Sequence, residues 1–535
     1  MLIDSNKVKY NGSINFEIFN TIATKEELEC IYDGQPALIS VTPKDGAICI
    51  TRNEFVQLML DIFHDWIVEF CQNTRKGRPT VKNINYTKFK IFCIVILATV
   101  CLLLSFKATA IPCITLVVAY NSFCLLCKCW IVLSSWLRNT LGQEVKQFET
   151  EEYQCFKHDG DLPVYTILVP MFHENEKTIG QMLNTLRNIN YPRDKLDVKL
   201  VLEEDDIQTR EVLENITLEE WITPMWMPYF EPRTKPKACN IATLFAKGEY
   251  LVIFDAEDKP EPEQLLKAVY TFRQHQEIDI LQGCLSFYNH DQNLLTTWFN
   301  VEYTTWFKLS LPEFSRMGIT LPLGGTSNHI RTKFLFQHFW DSYHVTEDLE
   351  LSTIAVSHNR QIMHLASDTT EWCVVNLKSW FKQRTRWMKG YLLTYYLNAC
   401  SKKFNSNIKN AFFLHVVVGY STFAYLVAPL VFFSHNLLYS KLCPIIFLLL
   451  AQFVLYHLSL VLSYYYTINI TNKLILNKNT ICQTWKLFFT LILYPFYFIL
   501  HFIATWIAIV DIWKRPFYWA KTEHLVESKK REVKR

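Results

Sequence analysis

Three short apolar runs, Val164–Pro170 (VYTILVP), Val198–Leu202 (VKLVL) and Tyr250–Phe254 (YLVIF), decide the fold, because each is strand-length and each gives way to polar residues. The first is followed by His173, Glu174, Asn175 and Glu176, and then by Ile179, Met182, Leu183 and Leu186 at helical spacing. The second ends in Glu203, Glu204, Asp205 and Asp206, the third in Asp255, Ala256, Glu257 and Asp258. Strands alternating with amphipathic helices predict an α/β domain with a mostly parallel sheet covered by helices. Acids clustered where strands end match the rule that open α/β sheets bind ligands outside the carboxyl ends of their strands.

Further along, Gln383, Arg384, Thr385, Arg386 and Trp387 (QRTRW) follow Thr346, Glu347 and Asp348 (TED) and precede an apolar stretch that begins near Ala411. On a helix Gln383, Arg386 and Trp387 share one face, so an amide, a guanidinium and an indole stand together. A guanidinium pairs with phosphate oxygens and an indole offers a flat surface to a sugar ring, a combination suited to a sugar phosphate. Alone, such a helix also fits a surface position with a snorkelling arginine. QRTRW after TED resembles the QxxRW signature of membrane-bound family 2 glycosyltransferases, the superfamily of cellulose, hyaluronan and poly-N-acetylglucosamine synthases. The resemblance covers about Leu162 to Gly390 and implies the GT-A, Rossmann-related fold that binds nucleotide sugars. FDAEDKPEPEQL, RTKPKACN, LPLGGTSNHIRT, VTEDLEL and FYWAKTEH are similar to a bacterial subgroup tied to exopolysaccharide or phage-adsorption systems.

The resemblance assigns roles. Asp348 matches the TED aspartate, the general base of an inverting transfer, with Glu347 beside the acceptor. Asp255 and Glu257 occupy the places of the DxD motif, with Asp258 adjacent, and would hold Mg²⁺ or Mn²⁺ against the diphosphate. Glu174, Glu203 and Asp205 would face the nucleotide, and Lys237 in the KPKACN segment the diphosphate. Gly325 and Thr326 in LGGTSN fall at the acceptor loop, Trp387 at an acceptor platform, and Gln383 and Arg386 on the donor side. Thr346 also has the residue type of a helix cap, with a helix expected over Asp348 to Ala355. The expected activity is transfer from a nucleotide sugar, UDP-linked, to a growing β-linked polysaccharide. A single-sugar transferase acting on a lipid carrier and an idle membrane receptor or scaffold are the alternatives.

Among 535 residues, 54 basic and 51 acidic side chains give a formal charge of +3, and half the residues are apolar. The basic excess gathers in the tail, where Lys514, Arg515, Lys521, Lys529, Lys530, Arg531, Lys534 and Arg535 predict a cytoplasmic segment, not a nucleic-acid surface. Sixteen cysteines without regular spacing indicate reduced packing residues. Apolar runs long enough to cross a bilayer lie at about 89–106 and 111–137, and three more at 411–434, 443–470 and 487–512. The expected layout is a small N-terminal cytoplasmic region 1–88, a transmembrane hairpin 89–137, a cytoplasmic catalytic domain 138–410, transmembrane helices 411–512 and a basic tail 513–535. A cytoplasmic tail requires an even number of crossings after the catalytic domain, and Pro495 marks where the last run breaks or re-enters. The implied place is a bacterial inner membrane, among lipids. Residues 1–80 are expected to form an α+β cap, a remnant of a regulatory domain that binds a cyclic dinucleotide in some relatives being the alternative.

Overall fold

The computed structural model describes residues 4–74, 79–105, 107–141, 147–157, 161–420, 422–426, 454, 458–459, 461 and 480–518. Two compact units emerge: Met1–Val81 with Lys146–Gly283 and Leu323–Thr369, and Lys82–Val145 with Cys284–Pro322 and Thr370–Arg535.

The first unit opens with the α+β module expected of its N-terminus. Strands β1 (Val8–Lys9), β2 (Glu27–Tyr32), β3 (Gln35–Ser40) and β4 (Ala47–Cys49) form a sheet in that order, antiparallel except for β3 with β4. Helices Phe16–Lys25, Arg52–Ile62 and His64–Asn73 complete it. Asn15 caps the first, and Thr51 with Glu54 closes a capping box on the second, satisfying otherwise orphaned N–H groups. Aromatic side chains join this module to the rest of the unit: Phe16 meets Phe336 and Phe339, Phe70 meets Phe339, and Phe19 meets Phe245, at centroid separations of 5.2, 5.6, 4.9 and 5.3 Å.

The main sheet comprises β5 (Tyr165–Met171), β6 (Leu196–Glu203), β7 (Ile222–Met227), β8 (Tyr250–Ile253), β9 (Lys259–Pro260), β10 (Ile278–Phe287), β11 (Asn328–Arg331) and β12 (Gln361–Glu371). Their spatial order is β7-β6-β5-β8-β11-β10-β12-β9. The first four run parallel; β5, β6 and β8 are the three runs read from the sequence and β7 was not among them, whereas β11 is antiparallel to β8 and to β10, so the sheet is mixed rather than mostly parallel. Strands β6 and β8 are buried along their whole length, which explains the unbroken apolar character of β8, while in β6 the buried Lys199 is paired with Asp197 at 2.7 Å. Ile179, Met182, Leu183 and Leu186 from helix Glu176–Arg187 pack on Ile167, Val198, Leu200 and Val252 in one core. Gly248 makes the entry to β8 possible: a Cβ there would lie 2.4 Å from the Thr166 nitrogen.

In the second unit, helices Tyr86–Ser105 and Lys107–Thr140 occupy the first two apolar runs, and Thr480–Lys514 continues through Pro495 without ending. Among the described residues two helices are long and apolar enough to cross a membrane, Pro112–Arg138 and Ile492–Lys514, with mean hydropathies of 1.9 and 1.8. Leu116, Phe123, Leu126 and Trp130 on one, and Ile492, Phe496, Ile499, Ile503 and Ile507 on the other, are exposed apolar side chains. Nearly all of the run 443–470, the tail beyond residue 518 and most of the FYWAKTEH segment lie outside the described residues.

Candidate active site

Because β5 to β8 run parallel, the loops after Met171, Glu203, Met227 and Ile253 gather at one edge of the sheet. Antiparallel β11 brings the LGGTS segment there too, since Asn328 pairs with Ile253. Two residues at this edge, His173 (φ 52°) and Ser327 (φ 55°), adopt the left-handed backbone region that side chains disfavour. His173 is held by Asp206, whose carboxylate accepts from its backbone N–H at 2.6 Å and faces its Nδ1 at 3.1 Å. Asp206 also caps helix Ile207–Glu214 through the Thr209 N–H. Burial pushes its carboxyl upward, but the bonds from Thr209 and His173 outweigh this and hold it below the usual range.

The acids after β8 divide into different roles. Asp258, expected among the cation ligands, is buried; its Oδ2 accepts from the Asp255 N–H at 2.7 Å and from the Thr326 hydroxyl, pinning the turn to the glycine loop. Asp255 and Glu257 are only half-buried. Burial, and then the charges of Asp255 and Glu257, push the Asp258 carboxyl well up. Its Oδ1 accepts no hydrogen bond among the described residues. Crowded carboxylates of this kind suit a hard divalent cation, with the half-buried Asp255 and Glu257 as candidate ligands. Among the described residues no three acidic, histidine or cysteine side chains form a ready cage, so further ligands would come from phosphate oxygens or water.

Helix Lys235–Thr243, capped by Thr234 with a proline in its first turn, supplies two lysines with opposite fates. Lys237, expected at the diphosphate, is fully buried, and its ammonium donates to Glu203 at 3.0 Å. Glu203, expected at the nucleotide, is thereby tied up beneath the surface; burial raises its carboxyl and Lys237 opposes the rise. Lys235, which the sequence reading passed over, pairs with Asp255 and donates to the Gly325 carbonyl at 2.8 Å. Burial would lower its ammonium, but Asp255 and Glu347 overcome that and hold it well above the ordinary lysine value. Its position at the first helical turn, beside a threonine cap, was the legible signal. Asp205 remains accessible, pairs with Arg233, and Arg233 lies over Phe172 and Tyr229 at 4.7 and 5.4 Å. Glu174 is anchored through its backbone N–H to Thr209 at 2.9 Å.

Helix Glu347–Ser357 begins with the TED acids; Thr346 stands at its cap without making a side-chain cap bond. Glu347 is buried and Asp348 half-buried. A Cβ built on Gly325 would lie 3.7 Å from Asp348 Oδ2, so the carboxylate faces the glycine loop. Thus Asp348, Gly325, Lys235 and Asp255 form one continuous arrangement. Thr326, expected at the acceptor, spends its hydroxyl on Asp258.

In the second unit, QRTRW lies on helix Leu377–Asn398, started by an Asn376 cap. Its two arginines differ. Arg384 is buried and donates to both oxygens of Glu302 at 2.8 and 2.7 Å, with its guanidinium over Phe299 and Trp387. Arg386 is half-buried, as are Gln383 and Trp387, and the Gln383 Oε1 has no hydrogen-bond partner among the described residues. Tyr303 stacks near Trp387 at 6.4 Å.

Residues 163–390 match the family described as "Glycosyltransferase like family 2". The protein is a glycosyltransferase. The matched residues span the main sheet and helix Glu347–Ser357 and end within helix Leu377–Asn398. The chain is 23% identical over 396 residues to the probable glycosyltransferase YdaM of Bacillus subtilis, covering 69% of this chain and 89% of that one. It is 22% identical over 353 residues to the probable glucomannan 4-beta-mannosyltransferase 1 of Arabidopsis thaliana, covering 63% of this chain and 62% of the plant protein. Among solved structures it is similar to the mannosyltransferase PcManGT of Pyrobaculum calidifontis in complex with GDP-Man and Mn²⁺, at 14% identity and TM-score 0.36, over 65% of this chain and 99% of that one. Residues 1–349 of S. aureus TarS align at 19% identity and TM-score 0.34, over 48% and 74% of the two chains.

Proposed function

We propose that this glycosyltransferase is an inverting, divalent-cation-dependent enzyme of the QxxRW type that extends a β-linked polysaccharide at a membrane from a UDP-linked sugar. The observation that carries this is the Asp348 carboxylate facing Gly325, whose carbonyl is bound by the same lysine that holds Asp255. A base and a phosphate-side cation therefore flank one loop, the separation of tasks that inverting transfer needs.

Asp348 takes the proton from the acceptor hydroxyl as that oxygen bonds to the anomeric carbon. The bond from that carbon to the diphosphate breaks on the opposite face, and its electron pair leaves with the nucleotide. Lys235 supplies fixed positive charge near the diphosphate side. Asp255 and Glu257 would hold the Mg²⁺ or Mn²⁺, which neutralises charge on a leaving diphosphate when bound. Asp205, Arg233 and the Phe172 ring offer a polar and aromatic setting for the nucleotide, and Glu174 lies in the neighbouring loop. Arg386 and Gln383 serve the donor, and Trp387 the acceptor sugar.

Exposed apolar residues along Pro112–Arg138 and Ile492–Lys514 support membrane insertion of a multi-pass chain, and the basic residues from Lys514 onward support a cytoplasmic side for the tail and the catalytic domain. The plant relative's name joins β-linked transfer to a polysaccharide, which favours a polymer over a lipid carrier as acceptor. Membranes carrying the protein, incubated with a panel of labelled nucleotide sugars, should incorporate label into polymer, and excess chelator should stop incorporation. Label recovered only in a single-sugar lipid would refute the polymer assignment, and full turnover in chelator would refute the cation.

A further inference from the structure

The strap that leads into the TED helix is tied at both ends by buried polar groups. Asn240, itself buried, grips the Trp340 backbone with both amide atoms: its Oδ1 accepts the Trp340 N–H at 3.0 Å and its Nδ2 donates to the Trp340 carbonyl at 2.9 Å. Thr234 donates to the Ser342 carbonyl at 2.6 Å. These two residues sit on or cap the helix that carries Lys235. The N-terminal module also holds Trp340 and Ser342, and Asp341 between them. Ser342 donates to the Cys71 carbonyl at 2.8 Å, Thr74 donates to the Trp340 carbonyl at 3.3 Å, and Asp341 accepts the Val81 N–H at 3.1 Å. The strap then turns: the His344 N–H donates to the Asp341 carbonyl at 3.0 Å, and His344 Nδ1 accepts the Thr346 N–H at 3.1 Å. The ring proton therefore sits on Nε2. Thr346 in turn accepts the Glu350 N–H at 3.2 Å, the first turn of the helix that bears Asp348.

We propose that His344 is a positioning residue for Asp348, and that the N-terminal module serves transfer by anchoring the strap on which His344 rides; this rests on Asp348 being the base. His344 is fully buried, and its Nδ1 accepts the N–H of Thr346, the residue at the helix cap, fixing where the helix starts. Residues four positions apart along so closely bonded a turn move together, so a lost acceptor at His344 displaces the carboxylate from its place beside Gly325. Misplacement of a base by about an ångström costs turnover while leaving donor binding intact.

Asparagine places its side-chain oxygen where histidine has Nδ1, and glutamine places its own where histidine has Nε2. The test compares His344→Asn and His344→Gln in the full-length membrane protein, measuring kcat, KM for the donor and thermal midpoint. His344→Gln is expected to lose tenfold or more in kcat with donor KM held within twofold, and His344→Asn to recover most of that loss. Wild-type kcat in both variants, or equal losses in both with a raised donor KM and a lowered midpoint, would overturn the positioning role. If the glutamine variant does not fold, Ser342→Ala decides: a fall in kcat at constant donor KM supports the strap, and unchanged kcat overturns it. An inactive Asp348→Asn control beside a fully active His344→Gln would refute the positioning role alone, and an active Asp348→Asn would instead remove the base on which it depends.

Discussion

Replacing Lys237 with alanine separates two physical roles for that residue. Its side chain is 0% exposed and that of Glu203 is 9% exposed, so the ion pair is little screened by solvent. Removing one member of such a pair leaves an uncompensated buried charge, with a typical cost of about 3–5 kcal/mol. Burial already raises the Glu203 carboxyl, so protonation offers partial relief and the lower figure, about 3 kcal/mol, applies. For a domain of this size that corresponds to a fall of roughly 6–12 °C in the unfolding midpoint. Coupling Lys237→Met with Glu203→Gln removes both charges and should recover much of the loss, because paired replacement avoids the orphan. The assay is thermal unfolding of the purified protein in detergent, followed by donor KM on the folded fraction. A midpoint unchanged within 2 °C together with a large rise in donor KM would refute the structural role and restore Lys237 to the diphosphate.

Gly325→Ala should fold normally, since its new Cβ meets Asp348 Oδ2 at an ordinary contact distance of 3.7 Å, yet it should reduce kcat by intruding where the acceptor hydroxyl must approach; unchanged kcat would move the acceptor elsewhere. Asp206→Ala should cost about 1–2 kcal/mol at neutral pH. Because the folded Asp206 carboxyl titrates below its unfolded value, its contribution is complete above about pH 3.9 and is lost as pH falls through the lower folded value, so wild type and variant should converge on acidification. Urea unfolding across pH measures this, and a gap that widens toward acid would contradict it. Arg384→Ala should destabilise by about 3 kcal/mol by stranding Glu302, the low end because Glu302 is 30% exposed, whereas Arg386→Ala should keep its thermal midpoint and lose donor affinity or turnover; equal destabilisation by both would deny Arg386 a separate role.

Three of the four parallel strands were legible because β5, β6 and β8 are buried on both faces and so read as largely apolar runs followed by acids, Lys199 within β6 being neutralised by Asp197 at 2.7 Å; β7 was missed. The antiparallel half was not. Strand β11 has only the four residues Asn328–Arg331, with Asn and His among them, and β12 alternates buried and less buried positions through polar serine and threonine. Burial decided the site residues that sequence alone left ambiguous. KPK offers two lysines with the same chemistry, and only the helix phase sends Lys237 inward to Glu203 and Lys235 toward Asp255. Likewise DAED offers three acids, and the backbone turn that draws Asp258 inward to the Asp255 N–H is a property of tertiary packing. In QRTRW the partner that claims Arg384 is Glu302, which lies 82 positions away and carries no motif. The N-terminal α+β module was expected; its hold on the strap 340–344 depends on contacts more than two hundred residues apart in the chain and left no sequence signal.

The most direct test is the anomeric configuration of the newly formed linkage, determined by NMR on product made from an α-linked, isotopically labelled nucleotide sugar by wild type and by Asp348→Asn. Wild type is expected to give a β-linked polymer, and Asp348→Asn to bind the donor and give no product. An α-linked product, or wild-type rates of β-linked product from Asp348→Asn, would contradict inverting transfer with Asp348 as its base.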